Sequence, residues 1–135
     1  MDLKDAISVS ASGLRAQSLR MRVIAENLAN QDSVAATPGG DPYRRKIVSF
    51  RTELDRATGA MKVEVGRVTP DASAFGREYK PGHPGADAKG YVATPNVSGL
   101  VEKADMDAAL RSYEANVSAI EAARSMTTKT IDLLR

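Results

Sequence analysis

The most constraining feature of this sequence is the contrast between its two ends and its middle. Residues 2–30 contain one glycine and no proline, and residues 100–135 contain neither. Residues 31–98 hold all six prolines and eight of the ten glycines. Because proline and glycine interrupt regular structure, this distribution predicts a helix at each end and turns between them. We therefore expect three parts, at residues 1–30, 31–98 and 99–135.

The first terminal segment has a regular apolar spacing. Positions three or four residues apart, most of them apolar, are Leu3, Ile7, Ser10, Leu14, Gln17, Met21, Ile24 and Leu28. The mean spacing of 3.5 residues is typical of the narrow contact line of a coiled coil. Asp2 and Asp5 are acids of the kind that stabilise a helix N-terminus. The pattern predicts a helix that starts near Asp2.

The last segment repeats this spacing over a longer stretch. Its ladder consists of Met106, Leu110, Tyr113, Val117, Ile120, Ala123, Met126 or Thr127, Ile131 and Leu134. At a rise of 1.5 Å per residue, each terminal helix would be roughly 40 to 50 Å long, more than a compact domain of this size needs. We therefore predict a mainly α, elongated fold in which the two helices pair as a coiled coil. Because such a core is thin, neighbouring chains are expected to supply further contacts.

The middle segment shows only short strand signals. Residues 46–50 are rich in β-branched and aromatic side chains, and residues 61–65 alternate apolar and polar before continuing to Val68. Pairs of proline and glycine elsewhere in this segment indicate turns. We expect a loop-rich middle that contains a small β-hairpin or an extended arm.

The composition excludes several classes of chemistry. The chain has no cysteine and one histidine, His83, so it lacks thiol nucleophiles, disulfides and the usual ligands of a zinc site. Glu102, Asp105 and Asp107 lie in the expected first turns of the second helix, where acids stabilise the N-terminus without a metal. We therefore expect no enzyme activity, metal or cofactor.

Charge and hydropathy also limit the partners. Nineteen basic and 17 acidic residues give a net charge of +2, and the one basic triplet, Arg44 to Lys46, has only Tyr43 and Phe50 as aromatic neighbours. We therefore expect no nucleic-acid partner. No apolar run exceeds three residues, which predicts no membrane insertion. If the chain is exported, we expect export without a cleaved signal peptide.

A longer series of motifs resembles one protein family. Its order along the chain is Ala16-Gln17-Ser18, Asn27-Leu28-Ala29-Asn30, Pro42-Tyr43-Arg44, Tyr79-Lys80-Pro81-Gly82-His83-Pro84, Gly90-Tyr91-Val92, Pro95-Asn96-Val97 and Arg111-Ser112-Tyr113-Glu114-Ala115-Asn116. This series, which spans nearly the whole chain, resembles the bacterial flagellar axial proteins, and among them the subunits of the proximal rod of the basal body. The resemblance implies a structural subunit that polymerises through its terminal helices and helps to form the shaft that transmits torque from motor to hook.

The resemblance also implies partners and an assembly interface. The partners would be other copies of the chain, other rod proteins, proximal and distal, the protein at the junction with the export gate or MS ring, and the flagellar type III export apparatus. The expected interface comprises Leu3, Ile7, Leu14, Gln17, Met21, Ile24, Asn27, Leu28, Asn30, Tyr43, Arg44, Tyr91, Pro95, Asn96, Met106, Leu110, Tyr113, Asn116, Val117, Ile120, Met126, Ile131 and Leu134. A helical adaptor or export chaperone of a secretion apparatus is the alternative, although it would not need the proline-rich middle.

Overall fold

A computed structural model describes residues 2–135, with two long helices and four strands. Helix α1 spans Leu3–Ala29 and helix α2 spans Gly99–Leu133. Between them lie β1 (Lys46–Leu54), β2 (Met61–Pro70), β3 (Gly76–Tyr79) and β4 (Tyr91–Thr94). Both helices thus occupy the segments that the apolar spacing indicates.

The predicted fold class is wrong. The chain is 46% helix and 20% strand, and residues between the helices form two antiparallel sheets, one of β1 and β2 and the other of β3 and β4. The middle is therefore not loop-rich. Helix α1 ends at Ala29, and the chain is not a mainly α coiled coil. The predicted division at residues 30 and 98 stays a prediction.

The sequence pattern predicts one of the two sheets better than the other. Strands β1 and β2 have nine and ten residues. A turn connects them, and the Asp55 N–H donates a hydrogen bond across it to the Ala60 carbonyl (2.9 Å). Strands β3 and β4 have four residues each and pair Gly76 with Thr94 and Tyr79 with Tyr91. Four residues carry too little alternation to predict a strand, which explains why this second sheet was missed.

The chain contains two compact units, of which the first comprises residues 2–21, 49–67 and 107–135. Here α1 and α2 approach each other through small and polar side chains. A Cβ atom on Gly13 would lie 2.8 Å from the Asn116 amide nitrogen, and Gln17 Nε2 lies 3.4 Å from Ser112 Oγ. These two contacts are made by small and polar side chains, whereas a coiled coil interlocks large apolar ones.

The second unit comprises residues 22–48 and 68–106. Its fully buried side chains include Val92 on β4 and two polar residues, Asn27 and Glu102. The Ala35 N–H donates to the Ala93 carbonyl (3.1 Å), so the segment after α1 runs beside β4. Gly85 packs against the Ala35 carbonyl so closely that no side chain fits there. This unit is therefore built around a polar centre.

The buried side of α2 differs from the ladder that its sequence predicts. Its fully or nearly buried residues are Glu102, Ala109 and Ala123, which are separated by seven and 14 residues. Leu110, a predicted ladder residue, is 45% exposed, whereas its neighbour Ala109 is 0% exposed. A small side chain allows the helix to pack closely, and the larger apolar side chain beside it stays accessible.

Candidate assembly interface

The amide of Asn27, near the end of α1, has every hydrogen bond that it can make. Its Nδ2 donates to the Lys46 carbonyl (2.9 Å) and to Glu102 Oε2 (3.2 Å). Its Oδ1 accepts from the Lys46 N–H (3.0 Å) and from the Tyr43 hydroxyl (2.8 Å). An Asn amide offers two donors and two acceptors, so none remains for another partner. Asn27 thus bonds the first residue of β1 as a neighbouring strand would.

The carboxylate of Glu102, on the first turn of α2, is completely buried. Its Oε1 accepts a hydrogen bond from Arg45 Nε, and its Oε2 accepts from Asn27. A buried carboxylate destabilises the fold unless it is paired, and the Arg45 guanidinium provides this pairing for Glu102. Glu102 therefore contributes more than the helix-terminal charge expected from its position in the sequence.

The guanidinium of Arg45 also contacts two further carboxylates. Its Nη1 lies 3.2 Å from Asp71 Oδ2, and its Nη2 lies 3.4 Å from Asp105 Oδ2. Burial alone lowers the pKa of Arg45, but its hydrogen bonds to Glu102 and Asp71 outweigh this effect and raise that pKa. The guanidinium therefore stays charged and holds the acids together.

Two further side chains tie this cluster to the loops around it. The Arg45 N–H donates to Asn96 Oδ1 (2.7 Å), and Asn96 Nδ2 donates to the carbonyl oxygens of Asp71 and Ser73, both at 3.1 Å. Burial is the largest of the effects that raise the pKa of the Tyr43 phenol, which keeps it a donor to Asn27. We call Asn27, Tyr43, Arg45, Asn96 and Glu102 the polar centre.

The basic triplet is used inside the chain. Arg44 Nη1 donates to the Asp71 carbonyl (2.7 Å), and its guanidinium lies 4.0 Å above the centre of the Phe75 ring. Lys46 forms an ion pair with Glu26. With Arg45 in the polar centre, all three cations have partners within the chain.

The residues of the predicted interface differ in accessibility. Three are buried: Ile24, Asn27 and Pro95. Fifteen are half-buried, namely Leu3, Ile7, Leu14, Gln17, Met21, Leu28, Asn30, Tyr43, Arg44, Asn96, Met106, Tyr113, Asn116, Val117 and Ile120. Five are exposed, namely Tyr91, Leu110, Met126, Ile131 and Leu134. The chain thus covers the ladder residues of both helices only in part.

The end of α2 is an accessible apolar surface. Every residue from 124 to 135 is exposed, and the apolar side chains of Leu133 and Leu134 are 87% and 83% exposed. Met126 and Ile131 are about half exposed on the same stretch. Exposed apolar patches are typical of surfaces that contact other proteins.

Asn27 belongs to the interface predicted from the sequence, whereas its cluster with Glu102 and Arg45 is not predicted. The sequence offers one indication of this cluster. Asn27 is a polar residue in the apolar pattern of the first helix, and Arg45 is a charged residue beside a predicted strand. Their partners lie 16 to 75 residues away in the chain, so local spacing cannot identify them.

Residues 2–135 lack both a membrane-spanning helix and a cluster of metal ligands. No helix there is long and apolar enough to cross a membrane. Nor does that part of the chain bring together three histidine, cysteine or acidic side chains that could hold a metal ion.

Comparison with known proteins identifies the family. Residues 88–133 match the family model described as flagellar basal body rod FlgEFG protein C-terminal. The chain is 47% identical to the flagellar basal-body rod protein FlgC of Agrobacterium fabrum, over 98% of the chain and 96% of the relative. It is 41% identical to the protein of that name from Escherichia coli O6:H1 (98% of each chain) and 38% identical to that from Bacillus subtilis (95% of each). The chain therefore belongs to the FlgC family of flagellar basal-body rod proteins and is a structural subunit of the rod.

Proposed function

We propose that this subunit polymerises through its terminal helices to build the proximal part of the rod, the shaft that transmits torque from the motor to the hook. Its neighbours are other copies of itself and other rod proteins, proximal and distal. At the base, its neighbour is the protein that joins the rod to the export gate or MS ring. The observation that carries this proposal is the exposed apolar end of α2.

Within residues 2–135, no other segment buries the side chains of that end. From residue 124 onward no side chain is buried or half-buried, although Met126, Ile131, Leu133 and Leu134 are large and apolar. Burial of one such side chain is worth about 1.5 to 3 kcal/mol. Contacts between subunits in a polymer would supply this free energy.

The half-buried ladder residues support the same proposal. In the first unit, Leu14 on α1 and Val117 on α2 keep part of their apolar surface accessible. Most of the buried positions of the helices are instead small or polar, such as Ala16 and Ala109. One side of each helix thus stabilises the chain itself, and the adjacent side is available to neighbouring subunits.

Export through the flagellar type III apparatus, without a cleaved signal peptide, is also part of the proposal. A chain whose helix ends are not covered before assembly has little local stability there, which favours passage in an unfolded form. The polar centre would then form after export, once the chain is free to fold.

The test is the double substitution Ile131→Asp and Leu134→Asp. Because both side chains are at least half exposed, the isolated protein should keep its helix content. A buried carboxylate at a contact between subunits costs several kcal/mol, so the variant should be secreted but absent from basal bodies. The matched control is Ser125→Asp with Thr128→Asp, which adds the same two charges at exposed polar positions of the same helix.

The measurements are swimming motility, the amount of secreted protein and the amount bound to purified basal bodies. We expect the control to match the unsubstituted protein in all three. Normal incorporation of the double variant would show that the end of α2 is not a contact between subunits.

A further inference from the structure

The outer edge of β4, in the second unit, is covered by the chain itself. The Tyr91 carbonyl accepts a hydrogen bond from the Asp87 N–H (2.9 Å), and the Tyr91 N–H donates to Asp87 Oδ1 (3.0 Å). The Ala93 carbonyl accepts from the Ala35 N–H (3.1 Å). The carbonyl groups of Tyr91 and Ala93 therefore point away from β3, and other segments of the chain occupy that side of the sheet.

The outer edge of β3 has no such cover. Arg77 lies opposite Ala93, and Tyr79 lies opposite Tyr91. Where two opposite residues of an antiparallel pair do not bond each other, the backbone groups of both point outward. The N–H and C=O groups of Arg77 and Tyr79 therefore point away from β4. Within residues 2–135 these four groups have no hydrogen-bond partner, and every residue of β3 is exposed. We call them the open edge.

The charged side chains along the open edge are paired within the chain. Arg77 Nη2 lies 3.5 Å from Asp87 Oδ2, and Lys80 Nζ lies 3.0 Å from Glu78 Oε2. Natural edge strands often use charged side chains to prevent another strand from adding. Here two cations and two carboxylates cancel, so the open edge has no net charge that would repel an added strand.

Two tyrosine rings lie on one face of the sheet beside the open edge. The rings of Tyr79 and Tyr91 meet edge to face, with their centres 5.3 Å apart. Tyr79 is 62% exposed and Tyr91 is 41% exposed. Tyrosine is enriched among the residues that contribute most to binding at protein interfaces. The open edge thus combines unpaired backbone groups with side chains that are typical of a contact surface.

We propose that an extended segment of a neighbouring rod subunit adds to this sheet as a strand along the open edge of β3. The inference rests on the proposed function, because it assigns a contact within the same assembly. Backbone groups of the added strand pair with the N–H and C=O groups of Arg77 and Tyr79, which gives four hydrogen bonds. An apolar side chain of that strand packs against the Tyr79 ring.

The geometry of the open edge selects an extended strand as the occupant. Arg77 and Tyr79 are two residues apart, about 6.8 Å along a strand, and a partner strand presents its own N–H and C=O groups at that interval. A helix has bonded these groups internally. Two copies that paired β3 with β3 would form a closed two-fold dimer, whereas a polymer needs contacts between different surfaces. The added strand is therefore not β3 of a second copy.

The substitution Arg77→Pro tests the backbone contact in a strain whose own copy is deleted. It removes an N–H of the open edge but no bond to β4, and edge strands tolerate proline where the N–H faces solvent. The purified variant should keep the thermal unfolding midpoint of the unsubstituted protein. Its incorporation into basal bodies should fall about tenfold, because a carbonyl of the partner is left unpaired in a buried contact.

Arg77→Ala is the matched control, since it loses the same side chain and keeps the N–H. Its incorporation should stay within about twofold of the unsubstituted protein, because the exposed ion pair with Asp87 contributes little. Equal incorporation of the two variants would overturn the inference. Absence of the unsubstituted protein from purified rods would instead overturn the proposed function.

Photo-cross-linking tests the same contact without a change in the backbone. The photoreactive residue p-benzoylphenylalanine replaces Tyr79, purified basal bodies are irradiated, and mass spectrometry identifies the linked peptide. A link to an extended segment of a rod subunit, whether another copy or a different rod protein, supports the inference. A link to a helix or to β3 of a second copy, or no link to another subunit, would refute it.

Discussion

Replacement of Asn27 by alanine tests whether the polar centre holds the second unit together. The substitution removes four hydrogen bonds: two to the backbone of Lys46, one to the Tyr43 hydroxyl and one to Glu102 Oε2. Asn27 is 1% exposed and Glu102 is 0% exposed, so water cannot easily replace the lost partner at the carboxylate. Tyr43 and Lys46 are half-buried, and water can replace part of what they lose.

The size of the effect follows from these four bonds. A buried polar group that loses its partner costs about 1 to 3 kcal/mol. With two of the partner residues partly accessible to water, we expect Asn27→Ala to lower the free energy of unfolding by roughly 3 to 5 kcal/mol. Because a domain is stable by only about 5 to 15 kcal/mol, this is a large part of the total.

Asn30→Ala is the matched control, since it makes the same change three residues away. Asn30 is half-buried, and its Nδ2 donates to the Glu26 carbonyl of α1 (2.9 Å), while its Oδ1 accepts from the Ser33 hydroxyl (3.1 Å). We expect a loss of about 1 kcal/mol or less. Urea unfolding of the purified proteins, followed by circular dichroism, measures both. Equal urea midpoints for the two variants would refute the role given to Asn27.

Three further predictions concern other parts of the chain. Ile120→Asp should reduce incorporation into basal bodies much more than Ser118→Asp, because Ile120 is half-buried and Ser118 is exposed; equal amounts bound to purified basal bodies would contradict this. In hydrogen exchange of dilute monomer, amides of residues 124–133 should exchange faster than those of 102–116, because only the latter stretch contains buried side chains. The Ser73 N–H is the main cause that lowers the pKa of the Asp71 carboxyl, and Arg45 adds to it. Since its folded pKa is below its unfolded value, Asp71 stabilises the fold above the usual carboxyl range and loses that effect as pH falls; Asp71→Asn should flatten the acid side of a stability profile measured by thermal unfolding.

The helices were predictable from the sequence because their apolar spacing extends over many turns. Only part of strands β1 and β2 is predictable from the sequence. Strand β1 continues to Leu54 and β2 to Pro70, beyond the stretches whose composition indicates a strand. In the extension of β1, pairing with β2 stabilises residues such as Arg51, which forms a cross-strand ion pair with Glu64 at 2.6 Å. Such pairing depends on a partner strand, and local composition does not reveal it.

The polar centre was not predictable for a related reason. A sequence ladder of large apolar residues favours Leu110 over Ala109, whereas close packing favours the smaller side chain. In the same way, the sequence around Glu102 indicates only an ordinary helix N-terminus. The role of its carboxylate follows from its contacts with Arg45 and Asn27, which the fold brings beside it. The apolar pattern locates helices, but it does not distinguish the side that packs within the chain from the side left for neighbours.

The hydrogen bond between Asn27 and Glu102 also sets an order of events for folding. It closes a loop of 75 residues, for which the entropy cost is about 4 kcal/mol plus a constant. When the N-terminus of the chain emerges first, the second unit cannot be completed until residue 102 has also emerged. Before that point Asn27 and Arg45 lack their shared carboxylate. The long sequence separation therefore delays closure, and the second unit cannot finish folding until three quarters of the chain have emerged.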